Sequence, residues 1–167
     1  ERIKSRYEAL REKLKELTNL GLKVEIRHNR MVIRLPGDVL FASGSDELSE
    51  EGLEVVGAVA DVIRKDEQLR SRYFQIAGHT DDRPLRGGRF GDNWGLSAMR
   101  AREVLLFLVK DETEEGGGLD VSRLHIAGYA ATDPVAENQS EEGREQNRRV
   151  ELVLLPDVNE MLDLQNM

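Results

Sequence analysis

Apolar positions along this 167-residue chain change period several times, and each change marks an element. From Ile3 the apolar residues Tyr7, Leu10, Leu14 and Leu17 recur at spacings of four, three, four and three. That is a heptad seam between strongly charged flanks, and it predicts a helix. A seam this short is marginal alone, so the helix packs on its own domain, pairs with a second copy or continues upstream. The narrow seam ranks a dimer or linker role ahead of a surface helix. Thr18-Asn19-Leu20-Gly21 stops it, with Gly21 available for a left-handed cap. Lys23 to Leu35 then alternates on both sides of His28-Asn29-Arg30, which predicts a β-hairpin. Pro36-Gly37-Asp38 ends the hairpin, and Val39-Leu40-Phe41 puts a short apolar anchor ahead of the turn Ser43-Gly44-Ser45.

Helical periodicity returns at Leu53, Val56, Val59, Ala60 and Ile63, behind an N-cap at Ser49 and the first-turn acids Glu50 and Glu51. Tyr73 to Ala77 is a β-prone run leading into Gly78-His79-Thr80-Asp81-Asp82 and a Gly/Arg-rich loop. A second helix opens near Asn93 to Ser97, capped by one of those two residues. It runs to about Lys110, with Leu105, Leu108 and Val109 inward and Arg100 and Arg102 on other faces. After the acidic, glycine-rich Asp111 to Gly118, Leu124 to Tyr129 is another strand, and both strands end in Ile-Ala-Gly. Thr132-Asp133-Pro134 turns the chain, Asn138 to Gln146 holds a possible helical turn, and Val150 to Leu155 is a buried last strand. Val158, Met161, Leu162 and Leu164 suit a short amphipathic tail. The pattern divides into a helical linker or dimerisation segment (1–20), one globular domain (21–156) and a tail (157–167). The domain is predicted as a two-layer α/β sandwich, a mixed sheet with two core helices on one face. Its Ile-Ala-Gly strands should be parallel neighbours, with their carboxyl ends at the edge where open sheets bind ligands.

Composition narrows the chemistry. The hydrophobic fraction of 39% is enough for one ordinary core. A net charge of -8 and a pI near 5.0 argue against a nucleic-acid surface. With no cysteine there is no disulfide framework, thiolate metal site or thiol catalysis. No apolar segment approaches the length that crosses a bilayer, and no signal peptide opens the chain. The start at Glu1, inside a helical pattern and without Met, predicts an upstream segment.

Several clusters carry candidate chemistry. His79, Asp81 and Asp82 could converge on a cation or act as acid and base, although adjacent carboxylates in an extended segment point opposite ways. A backbone-bonded histidine and an Asx-turn are the plainer readings of His79 and Asp81. Arg83, Arg86 and Arg89 with Gly87-Gly88 could cradle a phosphate, but neither a P-loop nor a dinucleotide fingerprint is present, and a flexible basic loop is the simpler account. Trp94 is read as a buried structural residue ahead of a sugar-stacking platform. Alternation sends Arg148 and Arg149 to opposite faces, one toward the ligand edge and the other into solvent. No Gly-x-Ser-x-Gly elbow is present. Asp81 at a strand end and Arg100 one turn into the following helix suit a zwitterionic ligand.

The motifs Gly78-His79-Thr80-Asp81-Asp82, Asn93-Trp94-Gly95-Leu96-Ser97-Ala98-Met99-Arg100-Ala101, Gly128-Tyr129 with Pro134 and Asn138, and Asn147-Arg148-Arg149-Val150-Glu151 fall in one order. In that order they resemble the OmpA-like domain of the OmpA/MotB family, over roughly Val32 to Leu155. The insert before Asn93 and the Asn-Trp pair look most like the flagellar-stator MotB branch. Gly95 departs from that branch, which often has Glu there. The resemblance implies an OmpA-like sandwich that binds peptidoglycan non-covalently in the periplasm, through the diaminopimelate of the stem peptide, and anchors a membrane complex or envelope protein. No catalysis, cofactor or metal is expected with it, an upstream membrane tether is, and the Ile3 to Leu17 seam adds the expectation of a homodimer. Carried over, Asp81 holds the ligand ammonium and Arg100 its carboxylate, with Thr80, Asn93 and Arg148 or Arg149 nearby. A wall hydrolase using His79, Asp81 and Asp82, and a purely structural dimerisation domain, are the alternatives.

Overall fold

The computed structural model describes residues 2–157. In chain order the principal elements are α1 (Arg2–Lys13), α2 (Lys15–Asn19), β1 (Lys23–Arg27), β2 (Arg30–Pro36), α3 (Gly37–Leu40), α4 (Glu50–Lys65), α5 (Glu67–Arg70), β3 (Phe74–His79), α6 (Asn93–Val109), β4 (Leu124–Gly128), α7 (Glu141–Asn147) and β5 (Arg149–Leu154). The expected tail helix at Val158 to Leu164 and the side chain of Ile3 lie outside the described residues.

The N-terminal helix ends as its sequence predicts. Leu22 N donates to Leu17 O (3.1 Å) and Gly21 N to Thr18 O (3.0 Å), with Gly21 at φ 90°, which is a Schellman stop. Its seam, however, is already covered. Tyr7, Leu10, Leu14 and Leu17 are buried in the same apolar cluster as the sheet and α4. The Tyr7 hydroxyl donates to Asn29 O at 2.9 Å, and Lys13 pairs with Asp66 at 2.8 Å. A heptad seam and a stripe packed on a domain put side chains on one helix face, so spacing alone does not say which surface covers them.

The hairpin turns at His28 and Asn29, with φ of 53° and 61°, the two left-handed positions of a type I′ turn. The sheet order is β1-β2-β5-β3-β4. Every pairing is antiparallel except β3 with β4, which run parallel with Ile76 opposite Ile126 and Gly78 opposite Gly128. Met31, Ile33, Leu35, Phe74, Ile76, Val150, Leu152 and Leu154 meet Val56, Val59, Ala60 and Ile63 of α4 and Ala101, Val104 and Leu108 of α6. The other sheet face carries a small cluster of Val32, Ala77 and Val153.

Three details of the helices differ from expectation. Leu53 is exposed. The buried stripe of α6 is Leu96, Ser97, Arg100, Ala101, Val104 and Leu108; of the expected inward set Leu108 is buried, while Leu105 and Val109 are half-buried at its margin. Following apolarity alone rotates the helix away from its polar buried members. Its N-cap is Asp92, which accepts from Gly95 N at 2.9 Å, because Asn93 and Ser97 are engaged elsewhere.

The shared Ile-Ala-Gly ending has a packing reason. A Cβ on Gly78 would fall on the Ser97 carbonyl, 2.8 Å from its carbon, and one on Gly128 would lie 2.9 Å from Ala98 Cβ. Helix α6 therefore rests its backbone on two adjacent strand ends where only glycine fits. Ser97 Oγ accepts from Ala130 N (3.0 Å) and donates to Trp94 O (3.1 Å), which fixes this crossing. Arg100 follows one turn later.

Candidate functional site

Beyond the carboxyl end of β3, at the predicted edge, lies a cleft of about 640 Å³ lined by residues that include Asp38, Phe41, Thr80, Asp81, Arg83, Asn93, Leu96, Arg100, Glu141 and Arg148. Thr80, Asp81, Asn93, Arg100 and Arg148, singled out from sequence, all reach it. Its three carboxylates, Asp38, Asp81 and Glu141, balance three guanidiniums, Arg83, Arg100 and Arg148. A cleft of this kind, neutral in sum with separated poles, suits a zwitterion better than a simple ion.

Arg100 is only 6% exposed, which overturns any reading of it as a surface helix residue. Its Nε donates to Ser45 O at 2.8 Å and its Nη2 to Ala42 O at 3.2 Å, while the guanidinium sits 4.8 Å over the Phe41 ring. Among the described residues its hydrogen bonds go to backbone carbonyls alone, and Asp38, Asp46 and Asp81 act on it through space. Burial pushes its pKa down. A buried cation with N–H groups left over and no carboxylate on them is costly.

Asp81 is also buried. Its Oδ1 accepts from Arg83 N at 3.0 Å, the Asx-turn anticipated from sequence. Its Oδ2 accepts from Arg148 Nη1 at 2.7 Å and from Arg83 Nη2 and Nε at 3.0 and 3.3 Å. Burial alone would raise the Asp81 pKa, but the hydrogen bonds from Arg83 and Arg148 outweigh it and hold the pKa below the usual value. Arg148 is anchored from behind, Nε and Nη2 to Asp38 at 2.9 and 2.8 Å and Nη2 to Glu141 at 2.7 Å. Thr80 Oγ1 donates to Asp81 O at 2.8 Å. Asn93 splints the loop that precedes it, accepting from Leu85 N (3.2 Å) and donating to Arg83 O (3.0 Å).

Other candidates go elsewhere. Arg149 is not solvated: it is buried on the opposite sheet face, with Nε 2.8 Å from Glu151 and further bonds to Asn147 O and Asp133 O. His79 shares that face, stacked on Tyr129 at 4.7 Å with Nε2 3.3 Å from Glu151, rather than bonding its own backbone at the loop edge. Burial lowers its pKa. Asp82 is exposed, so His79, Asp81 and Asp82 do not converge, and the described residues hold no group of three or more His, Asp and Glu suited to a metal ion. Trp94 is exposed, not buried. In the basic loop, Arg83 and Arg89 pair with Asp81 and Asp46. A Cβ on Gly95 would lie 3.0 Å from the Phe90 carbonyl carbon, so the approach of this loop accounts for glycine at that position.

Sequence reasoning missed Asp38, Glu141 and the occupancy of Asp81 by Arg83. Asp38 reads as a turn residue after Pro36-Gly37, and Glu141 as a first-turn acid behind the Ser140 cap of α7. Neither carries a spacing that points at Asp81.

The OmpA family model matches residues 40–148, from the end of α3 to Arg148. This chain belongs to the OmpA family. It is 31% identical over 135 residues to Motility protein B of Bacillus subtilis, covering 81% of this chain and 49% of that protein. The chain thus spans about half the length of the curated relatives it matches. It is similar in structure to the cell wall anchor of the T6SS from Pseudomonas aeruginosa (TM-score 0.70, 34% identity, 87% of this chain and 96% of that one). It is also similar to the periplasmic domain of Helicobacter pylori MotB (TM-score 0.73, 28% identity, 87% and 86%). Among the described residues of this OmpA family chain no helix is long and apolar enough to cross a membrane.

Proposed function

We propose that the chain is a non-covalent peptidoglycan-binding module, which holds the diaminopimelate of the stem peptide and so anchors a membrane complex or envelope protein to the cell wall. The observation that carries this reading is Arg100, a buried guanidinium on the cleft wall with unspent N–H groups and, among the described residues, no carboxylate hydrogen-bonded to it. A ligand carboxylate would supply the missing charge in a bidentate pair that lysine does not reproduce. Asp81 would take the ligand's ammonium, and the charge balance of the walls favours a ligand carrying both poles. Likeness to a solved cell wall anchor and to MotB supports the anchoring role. A periplasmic location and a membrane tether belong to the same proposal and rest on the MotB likeness.

Sedimentation with purified sacculi tests it. Arg100→Ala and Asp81→Ala should each weaken binding by roughly 2 to 5 kcal/mol while the fold survives, since each strands the opposite ligand charge in a desolvated site. Unchanged binding in both variants would refute the proposal. Soluble wall fragments released during the incubation would replace it with a hydrolase.

A further inference from the structure

We propose that Arg83 is an internal competitor for the ligand's ammonium: its guanidinium pairs with Asp81 and must leave when an ammonium-bearing ligand binds. This rests on the reading of the cleft as a diaminopimelate site. Asp81 Oδ2 already accepts from Arg148 Nη1 at 2.7 Å and from Arg83 Nη2 and Nε at 3.0 and 3.3 Å. Three donors crowd Oδ2 and the Arg83 N–H already takes Oδ1 at 3.0 Å, so an ammonium that reaches Oδ2 displaces a guanidinium. One of the two arginines has to yield, and they are not equally held. The Arg148 side chain is 15% exposed and clamped by Asp38 and Glu141. The Arg83 side chain is 61% exposed and has Asp81 as its one ion-pair partner among the described residues. Its backbone, by contrast, is pinned by Asn93 on its carbonyl oxygen and by Asp81 Oδ1 on its N–H. The side chain can therefore swing into solvent while the loop stays in place.

The exchange makes the site selective. A carboxylate alone would reach Arg100 and leave the Arg83–Asp81 pair intact. An ammonium on the same ligand replaces Arg83 and recovers the electrostatic energy it gave up. The Arg83 end of the pair lies in solvent, which screens it, and Arg148 stays on Asp81, so the displacement costs less than tenfold in affinity.

The probes are meso-diaminopimelate and pimelate, the same carbon chain without its two ammonium groups, titrated into the labelled chain and followed by heteronuclear NMR. Arg100→Ala identifies the shifts that belong to the cleft. Arg83→Ala should bind diaminopimelate about three- to fivefold more tightly than the native chain, Arg83→Lys should restore the native affinity, and pimelate should gain nothing in either variant. Equal or weaker diaminopimelate binding by Arg83→Ala would overturn the proposal, as would an equal gain for both ligands. If diaminopimelate binds neither the native chain nor either Arg83 variant, the diaminopimelate reading itself falls and takes this inference with it.

Discussion

Three glycines should respond to the same substitution in a graded way, with a change of sign. Gly78 lies beneath the backbone of α6, and a Cβ there would overlap the Ser97 carbonyl, 2.8 Å from its carbon and 3.2 Å from its Cα. Neither side can yield by rotating a side chain. Ser97 belongs to a 17-residue helix and is tied by its own hydroxyl to Ala130 N, so relief requires strand and helix to separate by something on the order of 1 Å. Overpacking typically costs about 1 to 3 kcal/mol, and a backbone-on-backbone clash belongs at the top of that range. Gly78→Ala should therefore cost about 3 kcal/mol. Gly128→Ala meets Ala98 Cβ and N, both at 2.9 Å, and should cost about 1 to 2 kcal/mol, since the obstruction is partly a methyl at the sheet edge. Gly57, inside α4, would meet only Phe107 Cζ at 3.8 Å. There the helix preference for alanine is unopposed, and Gly57→Ala should add about 0.5 to 1 kcal/mol. Urea unfolding gives the free energies directly, and thermal melts should shift by roughly 2 to 4 °C per kcal/mol for a chain of this size. A Gly78→Ala variant within 1 kcal/mol of the native chain, or a Gly57→Ala variant less stable than it, would refute the packing account of the Ile-Ala-Gly endings.

Two further predictions concern charge. Glu151 is buried, which alone would raise its pKa, but the close approach of His79 and the hydrogen-bonded guanidinium of Arg149 bring it down to about 2 from 4.5. A lowered folded pKa contributes stability that is present above the unfolded value and is lost as pH falls through the folded one. The shift corresponds to about 3 kcal/mol, of which about 2 kcal/mol is gone by pH 3. Glu151→Gln, which strands Arg149, should be less stable at pH 7 but lose correspondingly less between pH 7 and pH 3; equal losses in urea midpoint-derived free energies would contradict this. Arg148→Lys keeps the charge but cannot serve Asp38, Asp81 and Glu141 at once. It should cost about 1 to 2 kcal/mol of stability and weaken sacculus binding, because Asp81 loses its fixed partner; native behaviour in both assays would show that a point charge suffices there.

Local pattern alone determined much of this protein. Period-two alternation placed the hairpin, a continuous apolar run placed the last strand, helical period placed α4, and the repeated Ile-Ala-Gly marked the two strands that pair in parallel. Asp81 and Arg100 stood out because a strand end followed by a helix brings an acid and a base to one sheet edge. These are consequences of chain geometry within a few residues, and periodicity records them. Tertiary structure decided what depends on contacts between distant segments. It covered the N-terminal seam with the chain's own core, turned Ser97 and Arg100 into the buried stripe of α6, and separated Arg148, in the cleft, from Arg149, on the far face. It also brought Asp38 and Glu141 onto Arg148 from 110 and 7 residues away. A polar side chain reads as exposed until its partner is known. The free energy of burying it is set by groups remote in sequence, and no local pattern contains them.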